Sequence, residues 1–212
     1  YITSNIINLN ERKKILYQIF NGVNYLHNNQ IIHRDLKPSN IFINNDLRLV
    51  IGDFGLSSCW STFNNLKNYN NIKKNKYYQQ FLNQYRDIID EKSINLNTEL
   101  STYVVTRWYR APELLCNQDY YNSKIDIWSC GCIWGELVKG IPLFRGNDSQ
   151  NQLNIIIDYF GVNNLTSPDC DIQLYLDKQR LQNIKLNFVD LFPCMLLDAI
   201  EIFQQCLKVD FK

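Results

Sequence analysis

The chain has 212 residues and a formal net charge of +1, and 45% of its residues are apolar while 20% are charged. This composition predicts one soluble globular domain with its own core, and the near-neutral charge argues against nucleic acid or an anionic membrane surface as a partner. The seven cysteines are scattered without a CxxC pair, and no apolar run is long enough to span a bilayer. We therefore expect reduced thiols in a cytoplasmic or nuclear protein that does not bind membranes.

The first part of the chain contains one predicted helix and three predicted strands. Apolar residues recur at helical spacing over residues 8–28, and Asn8 with Glu11 three positions later predicts a capping box. The stretch "IIHRDLKPSNIFI" at 31–43 contains Pro38 and alternating apolar positions, which predict a loop between two short strands. The stretch "LRLVIGDFG" at 47–55 predicts another strand, which ends in a glycine turn.

The rest of the chain is predicted to be helical after a long polar segment. Residues 58–100 are low in complexity and rich in Asn, Lys and Tyr, which indicates a surface insertion. Residues 123–139 are apolar nearly all round, so we expect a helix in the middle of the domain that Ser123 caps. Further helices are predicted from near Asp148 and over residues 196–208. The predicted fold class is α+β, mainly helical with a few short strands.

Two stretches, "HRDLKPSN" at 33–40 and "DFG" at 53–55, carry side chains suited to phosphoryl transfer. That reaction needs an oriented acceptor hydroxyl, a bound magnesium ion and neutralised phosphate charge. Asp35 can accept the hydrogen bond of the hydroxyl, and Lys37 can neutralise the transferred phosphate. Asn40 offers a carbonyl oxygen and Asp53 a carboxylate, which are hard ligands that suit magnesium.

Three motifs in this order resemble those of the eukaryotic protein kinases: His-Arg-Asp-Leu-x-x-x-Asn at 33–40, Asp-Phe-Gly at 53–55 and Ala-Pro-Glu at 111–113. The resemblance covers essentially the whole chain apart from residues 58–100. It implies a protein-kinase-like fold, of which the chain would be the mainly helical C-terminal lobe. The glycine-rich loop, strand lysine and helix glutamate of the N-terminal lobe are not found in the sequence. We therefore expect a kinase domain that is truncated at both ends and lacks its N-terminal lobe.

The resemblance also implies ATP and Mg²⁺ as cofactors and protein serine or threonine side chains as substrates. The residues that would bind the nucleotide or its metal are Lys37, Ser39, Asn40, Phe42 and Asp53. Among them, Asn40 and Asp53 would be the metal ligands. Phe42 would form the floor under the adenine, where relatives usually have a smaller aliphatic residue.

Further residues would support catalysis without binding ATP, according to the same resemblance. Thr106 would hydrogen-bond to Asp35 and Lys37, and His33 would pack against Phe54. Asp126 would brace the backbone of the loop at 33–34. A charge inside so apolar a helix needs partners, which supports this role independently. Glu113 of Ala-Pro-Glu would be a structural residue.

The stretch "STYVVTRWYRAPELL" at 101–115 resembles the group that contains mitogen-activated and cyclin-dependent kinases. "SKIDIWS" at 123–129, "PLF" at 142–144 and "NQLN" at 151–154 favour the mitogen-activated branch, with the cyclin-dependent branch as the alternative. In this group Arg110 helps to shape the pocket for the residue after the phosphorylated one, so we expect proline-directed phosphorylation. A cyclin-like partner is not indicated.

The mitogen-activated branch carries Thr-x-Tyr in its activation segment, and the matching positions here are Ser101 and Tyr103. The resemblance implies that an upstream kinase phosphorylates both. Arg34 would then bind phospho-Ser101, while phospho-Tyr103 would be bound by Arg107 and Arg110, because guanidinium groups match phosphate oxygens in charge and shape. Relatives usually have a further phosphate-binding arginine at the position of Ser58. Its absence is expected to weaken the binding of these phosphates.

Two functions from different classes fit the sequence. The chain could be part of an active ATP-dependent kinase, or a catalytically silent kinase-derived scaffold that binds other proteins. The retained Asp35, Lys37, Asn40 and Asp53 favour the enzyme, because a scaffold would not need this costly set of polar groups.

Overall fold

Helices predominate in the computed structural model, which describes residues 8–59, 107–116, 121–160 and 188–208. The helices are α1 Leu9–Asn28, α2 Pro112–Leu115, α3 Lys124–Lys139, α4 Ser149–Phe160, α5 Phe188–Leu191 and α6 Leu197–Cys206. The strands are β1 Ile31–Ile32, β2 Ile41–Ile43, β3 Leu49–Ile51 and β4 Ser58–Cys59. The predicted α+β class is confirmed. Within these four ranges, no helix is both long enough and apolar enough to cross a membrane.

Helix α1 begins with the predicted capping box. The Asn8 side chain accepts a hydrogen bond from the Glu11 N–H (3.0 Å), and the Glu11 carboxylate accepts one from the Asn8 N–H (2.8 Å). The helix buries one apolar stripe, formed by Ile15, Ile19, Val23 and Leu26. Burying each such side chain stabilises the fold by about 1.5–3 kcal/mol, so the stripe fixes which face of α1 meets the core.

Two small antiparallel sheets place the loop at 33–40 next to the turn at 52–57. Strand β2 pairs with β3 in the register Ile41↔Ile51, and β1 pairs with β4 in the register Ile32↔Ser58. The loop connects β1 to β2 and the turn connects β3 to β4, so both connections lie where the two sheets meet. Strand β4 also holds Ser58 and Cys59, the first two residues assigned above to the insertion, because they pair with β1. Residues 60–100 lie outside the described residues.

Helix α3 lies at the centre of the domain, as the sequence predicts. It is buried on nearly all sides and packs against α1 and α6. The prediction that Ser123 caps it is wrong, because the Ser123 side chain makes no capping hydrogen bond. The side chain of Asn122 takes that place and accepts a hydrogen bond from the Lys124 N–H at 2.8 Å. Helices α4 and α6 are confirmed close to their predicted bounds.

Aromatic side chains join α3 to the C-terminal helices. Phe203 of α6 lies against Trp134 of α3 (ring centroids 5.4 Å apart) and against Phe192 (4.8 Å). Phe188 begins the short helix α5, which the sequence analysis did not predict, and its ring packs on Phe203. This aromatic layer buries the inner side of α6 and completes the core beneath α3.

Candidate active site

The loop at 33–40 brings Asp35, Lys37 and Asn40 into direct contact. The Lys37 ammonium lies 2.6 Å from Oδ2 of Asp35. Asn40 Nδ2 donates to the backbone oxygen of Asp35 (2.8 Å) and more weakly to its Oδ2 (3.3 Å). Both donors to the carboxylate therefore meet the same oxygen. Within the described ranges Asp35 Oδ1 has no donor, so this atom is the one left to accept a hydrogen bond from a substrate.

Asn40 and Asp53 offer the kinds of oxygen ligand that a magnesium ion prefers. The amide nitrogen of the buried Asn40 is committed to Asp35, which leaves its carbonyl oxygen for a hard cation. The Gly52 N–H donates to the backbone oxygen of Asn40 at 2.9 Å. Asp53 is the residue after Gly52, so this hydrogen bond joins the backbone next to Asp53 to Asn40. Asp53 is exposed and adopts a left-handed backbone with φ of 61°. These two residues fit the group that the sequence implies.

The carboxylate of Asp126 reaches out of α3 to the backbone of the same loop. It accepts hydrogen bonds from the N–H groups of His33 and Arg34, each at 2.8 Å, and lies 2.9 Å from Nε2 of His27. Arg34 is left-handed, with φ of 71°, and this conformation points consecutive N–H groups at one anion. Asp126 is fully buried, and a buried carboxylate needs hydrogen-bond partners in place of water. These three groups are its partners.

His33 connects the loop to the turn that carries Asp53. Its ring lies 5.0 Å from that of Phe54, and its Nε2 lies 2.9 Å from the Gly52 oxygen. Its Nδ1 accepts a hydrogen bond from the Asp35 N–H at 3.3 Å. Both bonds are satisfied by the neutral ring with its proton on Nε2. His33 therefore couples the position of Asp35 to that of the turn.

Phe42 lies on the exposed face of the β2–β3 hairpin, opposite Val50. The two side chains are 59% and 63% exposed, which makes a small apolar surface beside the site. The Phe42 ring also lies over Gly52, where a Cβ would come within 2.7 Å of Cε2. Glycine at position 52 thus leaves room for an aromatic ring at position 42.

Comparison with known proteins identifies the family of this site. The sequence matches the protein kinase domain family over residues 1–80 and 89–211. The chain belongs to this family. The predicted kinase resemblance and the kinase-like fold are therefore confirmed.

Similar kinases include several mitogen-activated protein kinases. The chain is 36% identical to mitogen-activated protein kinase 11 of Arabidopsis thaliana over 203 residues, which cover 92% of the chain and 44% of that protein. It is 35% identical to SLT2/MPK1 of Saccharomyces cerevisiae, covering 92% and 35%, and 32% identical to mitogen-activated protein kinase 14 of Xenopus laevis, covering 92% and 45%. The chain spans less than half the length of each of these relatives. These names agree with the branch that the sequence favours.

The arginines that the kinase resemblance predicts to bind the phosphates lie in two segments of the chain. Arg34 stacks over the ring of Tyr121, with its guanidinium carbon 5.2 Å from the centroid. Arg107 and Arg110 are the ends of one turn, closed by a 3.0 Å hydrogen bond from the Arg110 N–H to the Arg107 oxygen. Burial lowers the pKa of Arg110, and the Asp35 carboxylate opposes that shift, so the two side chains lie within electrostatic range. Thr106, Ser101 and Tyr103 lie outside the described residues.

The remaining assigned residues differ in their exposure. Ser39 is exposed at the centre of the turn Pro38–Asn40. Glu113 is buried in α2, which is consistent with a structural position. Placement alone does not give Ser39 a role, so its contact with the nucleotide stays a prediction.

Sequence reasoning missed several polar residues near the kinase site that are buried or, for His27, partly buried: His27, Tyr109, Ser129, Glu136 and Gln152. One signal was available. Glu136 lies in a helix predicted to be buried all round, and a charge there needs a partner, as argued for Asp126. That partner is the Tyr109 hydroxyl, which donates to Glu136 Oε2 at 2.6 Å.

Glu136 gives the stability of this kinase domain a dependence on pH. Burial raises the pKa of its carboxyl above the ordinary value of 4.5, and the hydrogen bond from Tyr109 opposes that rise. A carboxyl with a higher pKa in the folded chain than in the unfolded chain stabilises the fold most at low pH. This contribution is lost as the pH rises through the folded pKa. Ionised Glu136 is therefore a cost at neutral pH.

Glu136→Gln is expected to remove this pH dependence. The amide oxygen can still accept the Tyr109 hydroxyl, and no charge is buried. The melting temperature of the variant relative to the wild type should therefore rise as the pH increases from about 4.5 through the raised pKa of Glu136 in the folded chain. Thermal denaturation across this range measures it, with Glu201→Gln on the exposed side of α6 as the control. A difference that stays constant with pH would contradict the assignment.

Proposed function

We propose that this chain is the catalytic lobe of a protein serine/threonine kinase of the mitogen-activated type, which transfers a phosphoryl group from MgATP to protein side chains. The observation that carries the proposal is the contact among Asp35, Lys37 and Asn40. It directs the Lys37 and Asn40 donors to one oxygen of Asp35, and no donor from the described residues meets the other oxygen, which is left for a hydroxyl. The cyclin-dependent type is the alternative within kinases.

The chain's own residues supply positioning and charge for the transfer. Asp35 Oδ1 accepts the hydrogen bond of the serine or threonine hydroxyl and aims its oxygen at the phosphorus. Lys37, 2.6 Å from Asp35, places a positive charge next to the transferred group. Asn40 and Asp53 would hold Mg²⁺, which neutralises charge on the phosphates when bound.

The apolar surface of Phe42 and Val50 is suited to a nucleotide base. Both side chains are more than half exposed, and an aromatic ring there offers a flat apolar contact to adenine. The kinase family generally uses ATP and Mg²⁺, which supports these cofactors for this chain. Ser39 would contact the phosphates from the same loop.

Arg110 is the residue to which we assign the choice of protein substrate. Its charge lies within electrostatic range of Asp35, and we place the residue after the phosphorylated serine or threonine next to it. We propose proline there, because proline has no N–H to leave unsatisfied. Arg34, Arg107 and Arg110 would also bind phosphates that an upstream kinase adds at Ser101 and Tyr103, in the cytoplasm or the nucleus.

The proposal is tested with the complete gene product and with the 212-residue chain alone. We expect the complete product to transfer labelled phosphate from MgATP to peptides containing Ser-Pro or Thr-Pro. The chain alone should transfer none, because its sequence has no glycine-rich loop and no strand lysine to grip the phosphates.

Each contrary result has a distinct meaning. Transfer by the 212-residue chain alone would show that it does not depend on those missing groups. A complete product that folds and binds other proteins but transfers no phosphate would favour the silent scaffold instead.

A further inference from the structure

The turn Arg107–Arg110 is fixed to α3 by two buried hydrogen bonds. The Ser129 hydroxyl donates to the backbone oxygen of Tyr109 at 2.7 Å, and the Tyr109 hydroxyl donates to Glu136 at 2.6 Å. Asp126, which holds the loop at 33–40 (the catalytic loop), lies one helical turn before Ser129 on the same helix. Helix α3 therefore holds both the turn and the loop at 33–40, at positions one helical turn apart.

Gln152 of α4 also holds this turn. Its side chain is fully buried. Nε2 donates to the backbone oxygen of Trp108 at 3.3 Å, and Oε1 accepts from the Gly146 N–H at 2.7 Å. The Trp108 indole N–H then donates to the Gly146 oxygen at 3.0 Å. Trp108, Gly146 and Gln152 thus form a closed ring of three hydrogen bonds.

The ring depends on a close approach of two backbones at position 146. A Cβ on Gly146 would lie 2.4 Å from Cα of Gln152, so no larger residue fits there. The guanidinium of Arg145 lies 5.3 Å from the centre of the Trp108 ring and covers its face. The indole is held at its nitrogen and at its face, so the turn has little freedom to shift.

We propose that Gln152 is a positioning residue for the protein substrate: through its bond to Trp108 it fixes the turn Arg107–Arg110, and with it Arg110, against the catalytic loop. This rests on the proposed kinase function. The turn ends directly before Ala111 and α2, and the positive charge of its last residue, Arg110, lies within electrostatic range of Asp35. A shift of the turn would therefore move that charge relative to the hydroxyl that Asp35 orients.

The test is Gln152→Glu in the complete gene product. The carboxylate keeps an acceptor for Gly146 but loses the donor to Trp108 and places a negative oxygen against the Trp108 carbonyl. We expect KM for a Ser-Pro peptide to rise about tenfold, which matches the loss of one buried hydrogen bond. KM for ATP should be unchanged, because the two hydrogen bonds of the Gln152 side chain go to Gly146 and Trp108 and not to the loop at 33–40.

Gln18→Glu is a matched control. Gln18 also links backbone groups: its amide nitrogen donates to the Leu47 oxygen at 2.8 Å and to the Lys14 oxygen at 3.2 Å, and its amide oxygen accepts from the Leu49 N–H at 3.0 Å. The same chemical change there is made between α1 and the β2–β3 hairpin, away from the turn. It should lower stability without changing KM for the peptide. Trp108→Phe, which replaces the indole by a smaller ring without an N–H, should act in the same direction as Gln152→Glu.

Hydrogen exchange of the segment 107–116 decides the positioning independently of activity. We expect faster exchange in Gln152→Glu and in Trp108→Phe, and wild-type exchange in Gln18→Glu. Unchanged exchange together with an unchanged peptide KM in Gln152→Glu would overturn the proposal, as would equal rises in the KM values for peptide and ATP. If the wild-type product transfers no phosphate, the proposed function fails. The exchange experiment still tests the positioning in that case. Exchange of the segment 107–116 that is unchanged in Gln152→Glu and in Trp108→Phe would then overturn the positioning as well.

Discussion

Asp35→Asn is expected to lower the turnover of phosphoryl transfer by about 10²–10⁴-fold, the usual contribution of a group that handles the proton of the nucleophile. The substitution keeps the size of the side chain but removes its charge. An amide nitrogen in place of either oxygen would meet the Lys37 ammonium or the substrate hydroxyl with a donor, where each now meets an acceptor. Steady-state kinetics of the complete gene product with a Ser-Pro peptide measures the change.

The loss should be confined to chemistry, because Asp35 is not part of the apolar core. The melting temperature should fall only slightly, since Lys37 is 18% exposed and can turn toward water. Asp46→Asn, an exposed aspartate in the β2–β3 turn, is the control and should leave turnover unchanged. Turnover at the wild-type level in Asp35→Asn would refute the assigned role.

Features that depend on neighbours in the sequence could be predicted. The capping box of α1 needs only Asn8 and Glu11, three residues apart, and the buried stripe follows from the helical period. The contact of Asp35 with Lys37 and Asn40 also lies within six residues, so the motif carried most of its geometry. Helix α3 was predictable because it is apolar on nearly every face.

Features that depend on distant partners could not be predicted. The bond between Tyr109 and Glu136 spans 27 positions and that between Gln152 and Trp108 spans 44. Periodicity indicates that a residue is buried, but it does not say which group satisfies a polar side chain. The prediction that Ser123 caps α3 was wrong for a related reason. Asn122 is also a capping residue type, and only the backbone conformation decides which side chain reaches the free N–H.

Asp126→Asn is expected to destabilise the fold by about 2–4 kcal/mol, because it removes one acceptor oxygen from a fully buried carboxylate. The carboxylate accepts from two backbone N–H groups, each at 2.8 Å, and an asparagine can offer only one oxygen. Its amide group would face the second N–H with another donor. Chemical denaturation of the complete product measures the loss, with Asp158→Asn on the exposed side of α4 as the control.

A smaller loss is expected for His27→Gln, and the order of the two variants tests where the stabilisation resides. His27 is 15% exposed and supplies one of three contacts to Asp126, so the two backbone bonds survive its replacement. Those bonds hold Arg34 in a left-handed conformation that costs about 1–2 kcal/mol when unsupported. Amide exchange at residues 33 and 34 should therefore quicken in Asp126→Asn but not in His27→Gln. Equal losses of stability in the two variants would contradict this order. They would show that the stabilisation comes from the contact between the His27 and Asp126 side chains and not from the backbone bonds of the loop to α3.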